Sequence, residues 1–153
     1  MEVGQSVPTA FLHLELGTLP LRFILKTRRI LYLQYILKES EQSLMYKFLN
    51  AQMEDPKDGD WWLTVNDNME ELKMDVSLHE IKNMSKEKFK KQVQQTVESA
   101  AFEWLSQKKS NSKKVKDIHH GRLEIQKYLS QPVLSNDQTK LLFRLRAKSN
   151  ICS

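Results

Sequence analysis

Apolar residues recur at helical spacing along most of the chain, most clearly near its start. From Pro20 to Glu39 no breaking residue interrupts the sequence, which predicts one long helix. On a helical projection its apolar residues form a broad face and a smaller opposite patch. The broad face holds Leu21, Ile24, Leu25, Leu31, Tyr32, Tyr35 and Ile36, and the opposite patch holds Phe23, Ile30 and Leu37. Arg28 falls within the broad face, so we expect it either to pair with a carboxylate or to reach out of the core to a ligand.

Two further helices are predicted in the middle of the chain. Ser40 can cap a helix that Pro56 stops. After the DPKDGD turn, Asp60 can cap another helix, whose apolar residues repeat at alternating steps of three and four. These residues are Trp62, Val65, Met69, Leu72 and Val76. A single seam of this kind is typical of a helix that packs against one neighbour.

Two capping boxes, each a serine followed three residues later by Glu or Gln, indicate further helix starts. Ser77 with Glu80 predicts a short helix, and Ser135 with Gln138 predicts the last helix. Between them, Ser85 is expected to cap the helix whose apolar and charged faces are most clearly separated, ending near residue 108. The predicted core residues are Trp62, Phe89, Val93, Val97 and Trp104.

The remaining segments have no clear helical pattern. Residues 1–18 show no period and are expected to form a loose leader, and residues 150–153 form a short tail. Residues 108–117 hold five lysines and predict an exposed basic loop. Residues 122–129 fit either a short helix or a strand, and the pattern leaves both open. The overall prediction is an all-α fold, with a single helical domain of about five to seven helices over residues 19–149.

Composition is that of a globular chain. Its 153 residues are 40% hydrophobic and 28% charged, with only four glycines and four prolines to build the turns of a many-stranded sheet. No basic residue precedes Arg22, unlike a signal peptide, and no apolar run approaches the about 20 residues of a membrane span. The lone Cys152 has no internal disulfide partner. We therefore expect an intracellular protein, cytoplasmic or nuclear, without membrane contact.

Charge is distributed unevenly along the chain, although the net charge is only +5. Residues 16–38 hold five basic residues and no acid, and residues 39–76 hold ten acids against three lysines. Residues 108–149 hold eleven basic residues against three acids. Two basic flanks of this kind are typical of a nucleic-acid footprint. The alternative is that the acidic segment folds back and pairs with the basic ones.

Catalytic and metal-binding motifs are incomplete. His79 and Glu80 begin like a zinc-protease helix, but Asn83 stands where the second histidine is needed. His119 and His120 are adjacent and lack further ligands, and the aspartates of residues 55–60 do not have the spacing of a calcium loop. There is no glycine-rich phosphate loop and no Gly-x-Ser-x-Gly motif. We therefore expect no enzyme activity, no cofactor and no metal.

Basic residues interleaved with aromatic ones are the remaining candidate site. Lysine and arginine neutralise phosphates, and an exposed tyrosine can stack on an unpaired base. The candidate nucleic-acid-binding residues are Arg22, Lys26, Arg28, Arg29, Lys113, Lys114, Lys116, Arg144 and Arg146. The expected partner is RNA or DNA, bound without sequence preference.

Residues 15–37, ELGTLPLRFILKTRRILYLQYIL, resemble the region downstream of the catalytic palm in reverse transcriptases of non-LTR retrotransposons of animals. The spacing of Gly17, Pro20, Arg22 and the Arg28-Arg29 pair carries the resemblance. It continues through DWW at 60–62, MSKEKFKKQV at 84–93, AAF at 100–102, QKYL at 126–129 and LLFRLRAK at 141–148. Most of residues 15–149 is covered.

The resemblance implies a helical thumb and connector, which in that family helps to hold template and primer and is usually followed by a cysteine-rich zinc knuckle. The polymerase aspartates and the knuckle are missing from this chain, which implies a fragment, a decayed copy or a derived gene product. Nucleic-acid binding without catalysis carries over to Arg22, Arg28, Arg29, Arg144 and Arg146. The alternative is a helical protein-interaction domain or a non-functional relic that binds no nucleic acid.

Overall fold

The computed structural model of the chain describes residues 8–112, 115, 117–130 and 135–148. These residues form seven helices of six residues or more and one single turn, α7. The helices are α1 Thr9–Leu16, α2 Leu21–Lys38, α3 Leu44–Glu54, α4 Trp61–Glu71, α5 Leu78–Asn83, α6 Lys86–Ser110, α7 Lys127–Ser130 and α8 Asn136–Lys148. The only β-type pairing among the described residues is one antiparallel bridge between Leu16 and Ile125. The predicted all-α class is confirmed.

The chain divides into two compact units. Unit 1 combines Met1–Pro20 with Glu98–Ser153, and unit 2 is the continuous segment Leu21–Val97. The boundary falls within α6, where the helical pattern continues unchanged, so the sequence contains no local sign of it. The single domain predicted over 19–149 stays a prediction.

In unit 2, α2 buries the smaller of its two apolar patches. Phe23, Ile30 and Leu37 are at most 5% exposed, whereas Leu21 is 69% exposed. The predicted position of Arg28 inside a buried face is therefore wrong, because burying the broad face would have removed this charge from water. Helices α3, α4 and α5 contact α2. The buried apolar residues of the other helices in the unit are Leu49 of α3, Val65 and Met69 of α4, Ile81 of α5, and Phe89, Val93 and Val97 of α6.

The helix starts follow the predicted caps with one exception. The reciprocal hydrogen bonds of the Ser77 and Ser135 capping boxes are both present, and Ser85 Oγ accepts from the amide of Lys88. Helix α3, however, is capped by Ser43, whose Oγ accepts from the Tyr46 amide. The prediction of Ser40 is wrong because residues 40–43 form a turn before the helix, closed by a hydrogen bond from the Ser43 amide to the Ser40 carbonyl.

The start of α4 uses a buried glutamine as well as the predicted cap residue. Asp60 holds the cap position, but its carboxylate accepts from the Lys57 amide at 2.8 Å instead of from the helix. Gln52 Oε1, on α3, accepts from the Trp62 amide at 3.1 Å. A side chain of α3 thus accepts from an amide at the start of α4 that has no partner within its own helix. This bond fixes the position of the start of α4 relative to α3.

Unit 1 contains a helix where the sequence predicts a loose leader. Helix α1 fully buries Phe11 and Leu14, so this prediction is wrong for residues 9–16. Pro8 precedes the helix and Gly17 ends it at a φ of 63°, so both breakers bracket a helix that is too short to show a period. A Cβ at Gly17 would lie 2.4 Å from backbone atoms of Glu124 and Ile125, so no larger residue fits.

The rest of unit 1 corrects two boundaries. Helix α6 continues to Ser110, and Val115 is fully buried with Phe11 and Ile118, so the predicted loop 108–117 is only partly an exposed loop. Lys113, Lys114 and Lys116 lie outside the described residues. Residues 122–129, which the pattern left open, combine the bridge at Ile125 with the single turn α7.

The predicted core is confirmed at its aliphatic positions and at one aromatic. Phe89, Val93 and Val97 have no exposed surface, whereas Trp62 and Trp104 are only partly buried. Trp104 lies beneath the Lys108 ammonium, 5.6 Å from the ring centroid. A large ring at the edge of a core exposes one side, which a helical projection of apolar residues does not reveal.

We expect Phe89→Ala to lower the free energy of unfolding by about 3–5 kcal/mol, because a fully buried ring is replaced by a cavity. Trp104→Ala should cost less, since part of that ring already contacts water. Urea titrations of both variants, followed by circular dichroism, measure the difference. Equal losses would contradict the burial described for the two rings.

The Ser77 capping box should make stability depend on pH. Hydrogen bonds from the Ser77 amide and hydroxyl lower the pKa of Glu80 below its ordinary 4.5. A lowered pKa adds stability that is present above 4.5 and lost as pH falls through the folded-state value. Wild type should therefore exceed Glu80→Gln in unfolding free energy at neutral pH, and the difference should vanish in acid. If the difference in unfolding free energy between wild type and Glu80→Gln does not change with pH, the stabilisation does not come from the ionised Glu80 carboxylate.

Candidate nucleic-acid interface

The exposed side of α2 presents one arginine and two tyrosines. Arg28, Tyr32 and Tyr35 are separated by steps of four and three, so on a helix they lie within about 60° of one another. Tyr32 is 44% exposed and Tyr35 53%, and Arg28 is exposed as well. Helix α2 contains no acidic residue. We call these three side chains the α2 arginine–tyrosine face.

The two tyrosine rings of this face form a stacked pair. Their centroids are 5.7 Å apart and their planes are inclined by 15°. Trp61 meets the Tyr32 ring edge-on at 5.8 Å, which supports the pair from α4. The Tyr35 hydroxyl bonds the Glu39 carboxylate, and this bond and the carboxylate charge raise the pKa of Tyr35 above its ordinary value. Tyr35 is therefore a neutral phenol at physiological pH.

The other α2 cations are placed differently. Arg22 is exposed, with its guanidinium 5.6 Å from the Phe23 ring centroid, and Arg29 is half-buried. Lys26 is only 7% exposed and pairs with Glu71. Burial lowers the pKa of Lys26, and the charges of Arg22 and Arg29 lower it further. Lys26 therefore has a structural partner from the acidic segment, which argues against its predicted role as a phosphate ligand.

In unit 1, Arg146 is bound internally. Its Nε donates to Glu15 Oε1 at 2.6 Å, and its guanidinium also donates to the His119 carbonyl. His120 Nε2 lies 2.7 Å from the same Glu15 oxygen. The Glu15 side chain has no exposed surface, so Arg146 and His120 replace the water that its carboxylate loses. This pairing likewise argues against Arg146 as a phosphate ligand.

The sequence pattern gives no signal for the Glu15 cluster. Glu15 and Arg146 are 131 positions apart, and Glu15 lies in the segment predicted to be loose. The nearby Lys109 is 7% exposed and donates to the Ile118 carbonyl. Burial lowers its pKa, as does the charge of Arg146. Of the predicted contacts in unit 1 whose side chains the structure describes, Arg144 is the exposed one.

Neither a metal site nor a membrane span is found within the described ranges. These residues contain no group of three or more His, Cys, Asp or Glu that could hold a metal ion. None of their helices is both long enough and apolar enough to cross a membrane.

Comparison with known proteins does not indicate a function, so the function is argued from the residues of this chain. No protein-family model matches the chain, and no match is found among curated proteins or among solved structures. The resemblance to the reverse-transcriptase region of non-LTR retrotransposons therefore stays a prediction. The α2 arginine–tyrosine face is the described surface that best matches the predicted chemistry.

We expect Glu15→Leu to lower the free energy of unfolding by about 3 kcal/mol, because it leaves His120 and Arg146 without their carboxylate. The estimate is at the low end for a broken buried pair, since the Arg146 side chain is 33% exposed and regains some water. Glu103→Leu, at an exposed position of α6, is the matched control. Equal stability of the two variants, measured by urea titration, would contradict a structural role for Glu15.

Proposed function

We propose that the protein is a noncatalytic, sequence-independent nucleic-acid-binding protein whose principal contact is the α2 arginine–tyrosine face. The observation that carries this proposal is the stacked pair of exposed tyrosines one helical turn from exposed Arg28. Arginine binds phosphate, and tyrosine rings accept any unpaired base because every base has an aromatic surface. Such a partner is found in the cytoplasm or the nucleus.

Electrostatics support this assignment for α2 in particular. Within the described part of the chain, Arg28 makes no hydrogen bond or ion pair, so binding a phosphate breaks no internal contact. Arg22 and Arg29 add positive charge on the adjoining side of the same helix. Lys26 is held by Glu71 and is left out of the proposed contacts. Arg144 in unit 1 is a further exposed cation.

The resemblance to the thumb and connector of non-LTR retrotransposon reverse transcriptases supports the same partner. It includes Arg22, Arg28, Arg29 and Arg144 at the positions that match its pattern. We propose on this basis that the chain derives from such a region and has kept nucleic-acid binding without catalysis. Single strands and hybrids are the substrates that this origin favours.

Replacing Arg28 and Arg29 together by glutamine should weaken binding of a short single strand and reduce its salt dependence. Each lost phosphate contact reduces the slope of log affinity against log salt by roughly 0.7, so the double variant should reduce it by about 1.4. Fluorescence anisotropy with an end-labelled oligonucleotide, titrated at several salt concentrations, measures both quantities. Circular dichroism confirms that the variants remain folded.

The matched control is the double variant of Lys47 and Lys57 to glutamine. Both lysines are exposed in unit 2, and their loss changes the net charge by the same amount. The control should keep the wild-type salt slope. Absence of binding at low salt, or equal effects of the two double variants, would overturn the assignment of this face.

A second candidate is a protein-interaction surface, favoured by the apolar start of α3. Leu44 is 82% exposed and Phe48 60%, and Met45 contacts the Tyr32 hydroxyl through its sulfur. Exposed large apolar side chains that adjoin one another are typical of protein contacts. Leu44→Ser with Phe48→Ser should leave nucleic-acid affinity unchanged if α2 is the binding surface, which anisotropy measures alongside the arginine variants.

A further inference from the structure

A cleft of about 250 Å³ lies in unit 2 beside the tyrosine pair. Its lining residues are Leu31, Gln34, Tyr35, Lys38 and Glu39 from α2 and the residue after it, and Lys86 and Lys90 from the first turns of α6. Most of the lining surface is carbon, which Leu31, the Tyr35 ring and the stems of the lysines can provide. The cleft therefore combines apolar walls with three ammonium groups.

Hydrogen bonds from α2 to α5 and to the residue that follows it connect the two sides of this cleft. Gln34 Nε2 donates to the carbonyls of Ile81 at 2.9 Å and Met84 at 3.0 Å. Lys38 Nζ donates to the same Met84 carbonyl at 2.6 Å. Gln34 is only 4% exposed, so its two bonds are shielded from water, whereas the Lys38 bond is exposed. Because Met84 directly precedes the cap residue of α6, they fix where α6 begins relative to Tyr35, and the cleft is formed before any ligand binds.

The charge at the cleft favours an anionic occupant. Three lysines face one carboxylate, that of Glu39, which already accepts the Tyr35 hydroxyl. Lys86 and Lys90 are exposed and make no ion pair or hydrogen bond within the described part of unit 2. Their charges can therefore be neutralised by a ligand without breaking an internal contact.

The size of the cleft limits the occupant to a small group. Pockets for drug-sized ligands measure roughly 300–1,000 Å³, so a cleft of about 250 Å³ lies below that range. Tyr35 stacks on Tyr32 and also lines the cleft, so the aromatic stack ends at its wall. A planar aromatic group in the cleft would extend this stack by one ring.

We propose that the cleft takes one unpaired base of a single-stranded nucleic acid, which stacks beside Tyr35 while Lys86 and Lys90 bind the adjoining phosphates. This inference rests on the nucleic-acid binding proposed above and adds that the base itself is bound. A base in a duplex is already stacked and paired and must be extruded before it can enter such a cleft. The cleft therefore makes the protein prefer single strands to duplexes.

An abasic strand separates recognition of the base from recognition of the phosphates. A short homopyrimidine strand and an abasic strand with the same number of phosphates carry equal charge, so phosphate contacts alone give equal affinity and equal salt slopes. With a base in the cleft, the base-bearing strand should bind about tenfold more tightly, within the range for stacking of one base on an aromatic side chain. DNA and RNA strands are titrated in parallel by anisotropy, which shows which of the two nucleic acids binds more tightly.

Two sets of variants locate the effect. Tyr35→Leu should reduce the tenfold ratio to near one, because it weakens binding of the base-bearing strand more than binding of the abasic strand. Lys86→Gln with Lys90→Gln should weaken the base-bearing strand more than Lys88→Gln with Lys91→Gln, which removes two exposed charges from the same helix outside the cleft. All four lysines are exposed, so their replacement should not unfold the protein. The comparison of the two lysine pairs can therefore be made even if circular dichroism shows that Tyr35→Leu is unfolded.

The outcomes separate this inference from the function on which it rests. Equal affinity for the base-bearing and abasic strands, with a steep salt slope, would overturn the base cleft and the tyrosine contact, and would leave only binding through phosphates in place. Equal effects of the two lysine pairs on the base-bearing strand would also overturn it. Absence of binding to either strand would overturn both proposals. A ratio near ten that disappears in Tyr35→Leu, together with a larger effect of the Lys86 and Lys90 pair than of the Lys88 and Lys91 pair, supports the cleft as assigned.

Discussion

The cost of burying a guanidinium determines how unit 2 is arranged around α2. This helix has apolar residues on two sides, and Arg28 lies among those of the broader side. Burying that side would remove Arg28 from water, whereas the opposite side carries Lys26, which finds Glu71 as a partner. α2 therefore packs through Phe23, Ile30 and their neighbours. The tyrosines of the broad side stay at the surface, and both proposals for binding depend on this choice.

Buried polar side chains then fix the ends of the helices. The Gln52 side chain accepts from an amide at the start of α4, and the Gln34 side chain donates to Met84, the residue before the cap of α6. In unit 1, the buried carboxylate of Glu15 binds Arg146 and His120. Each of these groups would be costly if left unpaired, so each one selects a single arrangement of the segments it joins. The apolar core supplies most of the stabilisation, and these bonds determine which side chains reach the surface beside it.

Local features of the fold could be predicted from the sequence, and long-range ones could not. Capping boxes are short patterns of physical origin, and those at Ser77 and Ser135 are confirmed. α1 was missed because eight residues are too few to show a period. The broad face of α2 was expected in the core because of its many apolar residues, but Arg28 and both tyrosines of that face are exposed. The partners of Lys26 and Arg146 depend on contacts across 45 and 131 positions, which a single sequence does not encode in any local pattern.

The arrangement of α2 connects the arginine contact with the cleft through the length of a single strand. Arg28 and Tyr35 are seven residues apart, which is about 10 Å along a helix axis. Successive phosphates of one stacked strand are separated by roughly 3.4 Å along its axis, so about three nucleotides span the same distance. A phosphate on Arg28 and a base beside Tyr35 can therefore belong to one short strand. An acidic protein partner would also meet Arg28, but it has no planar group at each repeat to continue the stack of Tyr32 and Tyr35. The tyrosines thus favour a nucleic acid over other anionic partners.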